Sequence, residues 1–291
     1  MRALIQHNIS SGLGDTIVAI FEYLNTAENL TNKGYVVDLK INSIRNIYFE
    51  LNAFFDVFNK ENYNIFNSIE FINEPIHDEK FDVFERVYTL SGVKPGAHWW
   101  DLFLEKNYDN SILSNIEIYP YQCTTFPKYK TIFTEKIMEE YFNEINGELK
   151  TNEYVSIYFR TNDLEDNIQF FESQKDKVIN IINNNQKIFI CSNSYRFKKW
   201  VKELNNRNIF MFDIPGESEF GNHYNLDLQH KLDMGIVLDG INTKKIRTKY
   251  TIYDILSLGF SSEINHFSSW GRTSNFTFLG KLRGVKNNLY I

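Results

Sequence analysis

"NEYVSIYFRTND", residues Asn152–Asp163, is the stretch on which the reading of this sequence turns. It reads as a buried strand that stops abruptly at Arg160-Thr161-Asn162-Asp163. An arginine at the end of an apolar strand, with an acid three residues on, has two readings. In one, the strand leaves the core and meets water, and Arg160 is a surface residue or pairs with Asp163. In the other, Arg160 forms an anion site at the carboxyl end of a parallel strand. The surrounding pattern has to decide.

After this strand, helical and strand-like segments alternate. Ser173–Asn185 reads as a helix, Lys187–Asn193 as a strand, Tyr195–Asn208 as a helix and Ile209–Gly216 as a strand. Thr251–Ser262 then reads as a helix, Glu263–Ser269 as a strand and turn, and Arg272–Gly284 as a closing helix. Alternation of this kind predicts parallel βαβ units. The start of the chain repeats the theme. Arg2–Asn8 is a short strand, and Ser10–Thr16 is a glycine-containing turn. Ile17–Gly34 has apolar residues at helical spacing and closes on Gly34, and Tyr35–Ile41 is the next strand. Between them, Asn42–Lys80 mixes short helices and turns, Phe81–Tyr88 reads as a strand, and His98–Tyr108 and Thr131–Glu148 read as helices. The polar connector Leu149–Glu153 marks the best boundary. The expected fold class is α/β, with two Rossmann-like domains over residues 1–149 and 150–291.

The chain has 291 residues and a formal net charge of −6, and its basic residues are scattered. That argues against a nucleic-acid partner, whose footprint is a basic patch or stripe. Cys123 and Cys191 have no His or Cys at metal spacing and read as small buried hydrophobes in a reducing compartment. The apolar stretch at the start is too short for a signal peptide, and no segment reaches the ~20 apolar residues of a membrane span. The expectation is a soluble, cytoplasmic protein.

In open α/β sheets, ligands bind at strand carboxyl ends near switch points. Three such ends in the second half carry polar signals. They are Arg160 to Asp163, then Ser192-Asn193-Ser194, then Ser268-Ser269 with Arg272 opening the next helix. Backbone N–H groups at a helix start hold phosphate, hydroxyls can add donors, and an arginine can fork onto two phosphate oxygens. Each signal also has an ordinary structural use. Serine before a helix is a common N-cap, asparagine after a strand is a common turn residue, and Asp254 fits a solvent-facing helix position. His266 on a buried strand fits a core imidazole. His98 beside Trp99 and Trp100 fits either an aromatic sugar platform or tryptophans packed into a core. Pro215–Lys231 is a long polar loop after a strand end, either a cover over the site or an insertion.

The ordered set resembles a known family. "YVSIYFRTND" looks like the strand-plus-arginine signature, HVRRTD, of the α1,6-, protein-O- and nodulation-type fucosyltransferases. "YDILSLGFSSEINHFSSWGRTSNF" looks like the group's later signature, with Asp254, Ile255, Leu256, Phe267, Ser268, Ser269 and Arg272 at similar spacing. "IFICSNSY" resembles the strand that ends in its Thr/Ser-Asp-Asp turn. The resemblance covers roughly residues 150–285. It implies the GT-B architecture of two Rossmann-like domains facing a cleft, GDP-fucose in the second domain, a glycan or other hydroxyl acceptor, and neither metal nor cofactor. It also implies that Arg160 holds the diphosphate and neutralises the leaving group. Ser268 and Ser269 would donate to the same phosphates, and Ser192, Asn193 and Ser194 would face the nucleoside. The base would be an acid soon after the arginine, among Asp163, Glu165 and Asp166.

This chain departs from the pattern at three positions: Tyr158 replaces the family's histidine, Thr161 its second arginine, and Asn193 an acid. In the first half, "SSGLGD" is a short G-x-G turn. It lacks the third glycine of a dinucleotide fingerprint, and Gly12, Gly14 and Asp15 fit the acceptor side of a cleft better. Asp15 is a candidate base or a helix cap. Two other readings stand beside the fucosyltransferase: a GT-B enzyme using another nucleotide sugar, such as the heptosyl type, and a non-catalytic nucleotide- or glycan-binding protein.

Overall fold

The computed structural model describes residues 2–8, 23–24, 27–42, 63–72, 100–102, 110–114, 133–150, 153–161, 168–212 and 240–269. These form two compact units that divide between Thr134 and Glu135.

The first unit is built on a five-stranded sheet of β1 (Arg2–Asn8), β2 (Val36–Asn42), β3 (Ser68–Ile72), β4 (Trp100–Leu102) and β5 (Asn110–Ser114), in the order β3-β2-β1-β5-β4. β1 pairs in parallel with β2 and β5, and β2 with β3. As the central strand, β1 buries consecutive residues, Ala3, Leu4 and Ile5, as a strand covered on both faces must. A helical segment over residues 27–32 precedes β2. It ends as the sequence predicts, at Gly34 with φ 86°. Gly34 N–H donates to Thr31 C=O at 2.8 Å and Tyr35 N–H to Leu30 C=O at 3.0 Å, the 5→2 and 6→1 bonds of a Schellman cap. The buried Asp38 carboxylate on β2 accepts from Arg2 (2.7 Å), Asn67 Nδ2 (2.8 Å) and Ser68 Oγ (2.7 Å). Those bonds join β1, β2 and the start of β3.

The first half differs from expectation in its strands. β3 and β5 fall where no strand was expected. Trp100–Leu102, expected inside a helix over His98–Tyr108, is strand β4, antiparallel to β5 with Trp100 opposite Ser114. Pairing with a neighbour decided these segments, and their own spacing was ambiguous. The expected strand Phe81–Tyr88, the loop Pro215–Lys231, the helix Arg272–Gly284, and His98 and Trp99 lie outside the described residues.

The second unit is an all-parallel sheet of β6 (Val155–Arg160), β7 (Ile188–Ser192), β8 (Ile209–Phe210) and β9 (Glu263–Ser268), in the order β8-β7-β6-β9. Among the described residues four helices accompany it: α1 (Glu135–Ile145), α2 (Ile168–Asn184), α3 (Tyr195–Glu203) and α4 (Gly240–Phe260). Alternation along the strands sends side chains to opposite faces. On one face Val155, Ile157, Phe159, Ile188 and Ile190 pack with Phe171, Val178 and Ile182 of α2 and Phe197 and Val201 of α3. Phe159 and Phe197 stack at 4.0 Å between ring centroids. On the other face Phe189 meets Phe212, which in turn meets Tyr253 of α4. The result is a three-layer α/β/α unit. α1, expected to close the first half, packs on α4 instead, so the division falls one helix earlier than 149/150. Its Tyr141 hydroxyl lies 3.0 Å from Ser257 Oγ. Among the described residues no helix is long and apolar enough to cross a membrane.

Candidate functional site

The strand order of the second unit fixes where a site can form. From β6 the chain winds outward through β7 to β8, then returns to pair β9 on the other side of β6. The winding reverses between β6 and β9, and the carboxyl ends of those two strands make the switch-point crevice of an open α/β sheet. Arg160 is the last residue of β6, Ser268 is the last residue of β9, and the two are register partners. Ser269 N–H donates to Arg160 C=O at 3.0 Å. The strand pairing therefore sets Arg160 and Ser268-Ser269 side by side at one end of the sheet.

The neighbouring side chains follow from the same register. Tyr158 pairs with His266 one step earlier on the same face, and their rings stack at 5.3 Å. The position that carries a histidine in the family signature thus holds a buried tyrosine lying on the histidine of the next strand. Phe267 points to the opposite face and packs against the core cluster, 6.2 Å from Phe159. It serves the core, not the crevice. The Ser269 hydroxyl is buried and makes no hydrogen bond among the described residues.

The turn after β7 lies at the same end of the sheet, but its side chains are engaged within the protein. Ser192 Oγ donates to Phe159 C=O at 2.6 Å and accepts from Ser194 N–H at 3.0 Å. Ser194 caps α3, accepting from Phe197 N–H at 3.2 Å. Asn193 takes both backbone polar groups of Thr161: Thr161 N–H donates to Oδ1 at 3.0 Å, and Nδ2 donates to Thr161 C=O at 3.2 Å. Asn193 is 6% exposed and Thr161 0%. The contacts of Ser192 and Asn193 run to Phe159 and Thr161, and that of Ser194 runs into α3. The position of the family's second arginine is sealed inside the protein.

Asp254 is buried in α4, one turn from Ser257, whose carbonyl accepts from Tyr154 just ahead of β6. Its charge bears on Tyr141. Gly12, Gly14, Asp15, Asp163, Glu165, Asp166 and Arg272 lie outside the described residues. Among the described residues no group of three His, Cys, Asp or Glu stands together as a metal site. Sequence reasoning missed the Asn193–Thr161 contact. Its only trace was an amide and a threonine where charged residues were expected.

No family model matches the chain, and no curated protein matches its sequence. Solved structures do. The chain is similar to the NodZ alpha-1,6-fucosyltransferase co-crystallized with GDP, at a TM-score of 0.56 and 14% identity over 97% of this chain and 92% of that one. It is similar to NodZ soaked with GDP-fucose, at 0.52 and 11% over 97% and 92%. It is also similar to the fucosyltransferase NodZ from Bradyrhizobium, at 0.54 and 15% over 97% and 93%. At such identity the likeness establishes the fold: this chain has the α/β fold of those fucosyltransferase structures along nearly its whole length.

Proposed function

We propose that this protein is a glycosyltransferase that takes a sugar from a nucleoside-diphosphate donor, with GDP-fucose as the donor and a glycan hydroxyl as the acceptor. One observation carries the reading: Arg160 and Ser268 end two adjacent parallel strands at the switch point, in a fold shared with structures holding GDP and GDP-fucose. Arg160 binds the diphosphate and offsets the charge that grows as the glycosidic C–O bond breaks. The Ser268 and Ser269 hydroxyls add donors to the same phosphates. The acceptor oxygen attacks the anomeric carbon from the opposite side, inverting it, and its proton passes to Asp163 or Glu165 just after β6, with Asp15 as the alternative base. No metal is required, because the arginine supplies the positive charge.

Thermal unfolding against GDP, UDP, CDP, ADP and their sugars, with and without EDTA, tests this. A ligand at 100 times its Kd adds about 2.7 kcal/mol, a shift of a few degrees. GDP and GDP-fucose are expected to raise the melting temperature regardless of chelation. Arg160→Ala is expected to abolish that rise while leaving the unliganded melting temperature within about 2 °C. A rise with UDP or ADP species alone replaces the donor, and no rise with any nucleotide overturns the proposal. The buried Thr161 favours one second reading, a protein that binds nucleotide without transferring sugar. Release of GDP from GDP-fucose in the presence of acceptor separates the two.

A further inference from the structure

β7 ends at Ser192, one residue before its neighbour β6 has delivered Arg160. On the β9 side, Ser269 N–H continues the ladder to Arg160 C=O. On the β7 side the Asn193 side chain extends it. A primary amide carries the same C=O and N–H pair as a peptide. Here Oδ1 accepts from Thr161 N–H at 3.0 Å and Nδ2 donates to Thr161 C=O at 3.2 Å. The peptide joining Arg160 to Thr161 is thus held on one edge by β9 and on the other by Asn193, and Ser192 Oγ holds Phe159 C=O just before it.

We propose that Asn193 is a positioning residue for Arg160: its amide acts as one more rung of the sheet and fixes the backbone from which the guanidinium reaches the diphosphate. This rests on the donor-site reading above and deepens it. The neighbouring position offers no second cation, since Thr161 is sealed inside. Forked contact to two phosphate oxygens then depends on the orientation of one planar group. An aspartate at 193 would keep the shape and the acceptor, but it would present an oxygen to Thr161 C=O where a donor is needed.

The test is a double-mutant cycle on the affinity for GDP, measured by calorimetry, with N193A and N193D each placed in the wild-type and R160K backgrounds. Lysine is a flexible point charge and depends less on a fixed root. In the wild-type background N193A is expected to weaken GDP binding by about tenfold, the scale of one or two lost hydrogen bonds. N193D should weaken it at least as much. In the R160K background either change should cost about twofold or less, while the drop in unliganded melting temperature stays equal in the two backgrounds. N193S buries no charge and keeps a short polar side chain, so it enters the same cycle and keeps the test decisive if N193A or N193D does not fold. Equal losses in both backgrounds, or no loss in either, would overturn the positioning role. A wild-type protein that binds no nucleoside diphosphate overturns the donor site itself, whereas binding unaffected at Asn193 overturns only this inference.

Discussion

Tyr141 shows how much a single buried hydroxyl can reveal about this protein. It sits on α1, 1% exposed, against Tyr253 at 5.5 Å and Phe260 at 5.9 Å between ring centroids, with its oxygen on Ser257. Burial pushes its ionisation up to about 12, Asp254 pushes the same way, and hydrogen bonding with Ser257 and Tyr154 opposes them. Between pH 10 and 12 the unfolded chain therefore loses this proton while the folded chain keeps it. The unfolded state then binds fewer protons, so stability falls as pH rises. Tyr141→Phe is expected to cost about 1–3 kcal/mol at neutral pH by orphaning Ser257 and to make the decline above pH 10 shallower in urea titrations. Tyr63, also raised by burial, preserves part of the slope. An unchanged slope would place the pH dependence elsewhere. Residue roles of this kind were unevenly legible in the sequence. The placement of Arg160, Ser268 and Ser269 at strand ends could be read, because strand ends collect polar residues. Asn193 could not be read as a rung, because that role exists only once Thr161 lies beside it.

At the scale of elements, the turn between β7 and α3 links the candidate site to the core. Ser194 begins α3, and α3 places Phe197 on Phe159 immediately before Arg160. Ser194→Ala leaves Phe197 N–H without its cap and is expected to cost about 1 kcal/mol, seen as a lower urea midpoint with an unchanged slope. A changed slope would mean that α3 itself had frayed. The same elements explain which parts of the fold the sequence disclosed. β6 and β7 are nearly continuous apolar runs, bounded by polar turns, that pack helices on both faces. β3 (SIEFI) and β5 (NSILS) are short and carry polar residues, so their strand character comes from the partners beside them. α2 and α4 start earlier than their apolar periodicity suggested, by five and eleven residues, and in α2 the added turn brings Phe170 and Phe171 onto the core.

For the whole molecule, the informative question is where one compact unit gives way to the next. The polar connector Leu149–Glu153 looked like the boundary because composition shifts there. The packing places it at Thr134/Glu135. α1 contributes Ile137, Tyr141 and Ile145 to the second unit, each 3% exposed or less. Burying one such side chain is worth about 1.5–3 kcal/mol, so α1 supplies several kcal/mol against a typical total of about 5–15 kcal/mol. It also supplies the partner of Ser257 on α4, the helix that leads into β9 and so to Ser268. A fragment beginning at residue 133 is therefore expected to hold α4 and β9 more firmly than one beginning at residue 150. The shorter fragment should unfold at a urea concentration lower by about 1 M or more, and its α4 amides should exchange faster. If the two fragments unfold together, α1 is an appendage and the polar connector was the true boundary. If they separate as expected, the helix that by sequence ends the first half is part of what holds the sheet of the second unit in place.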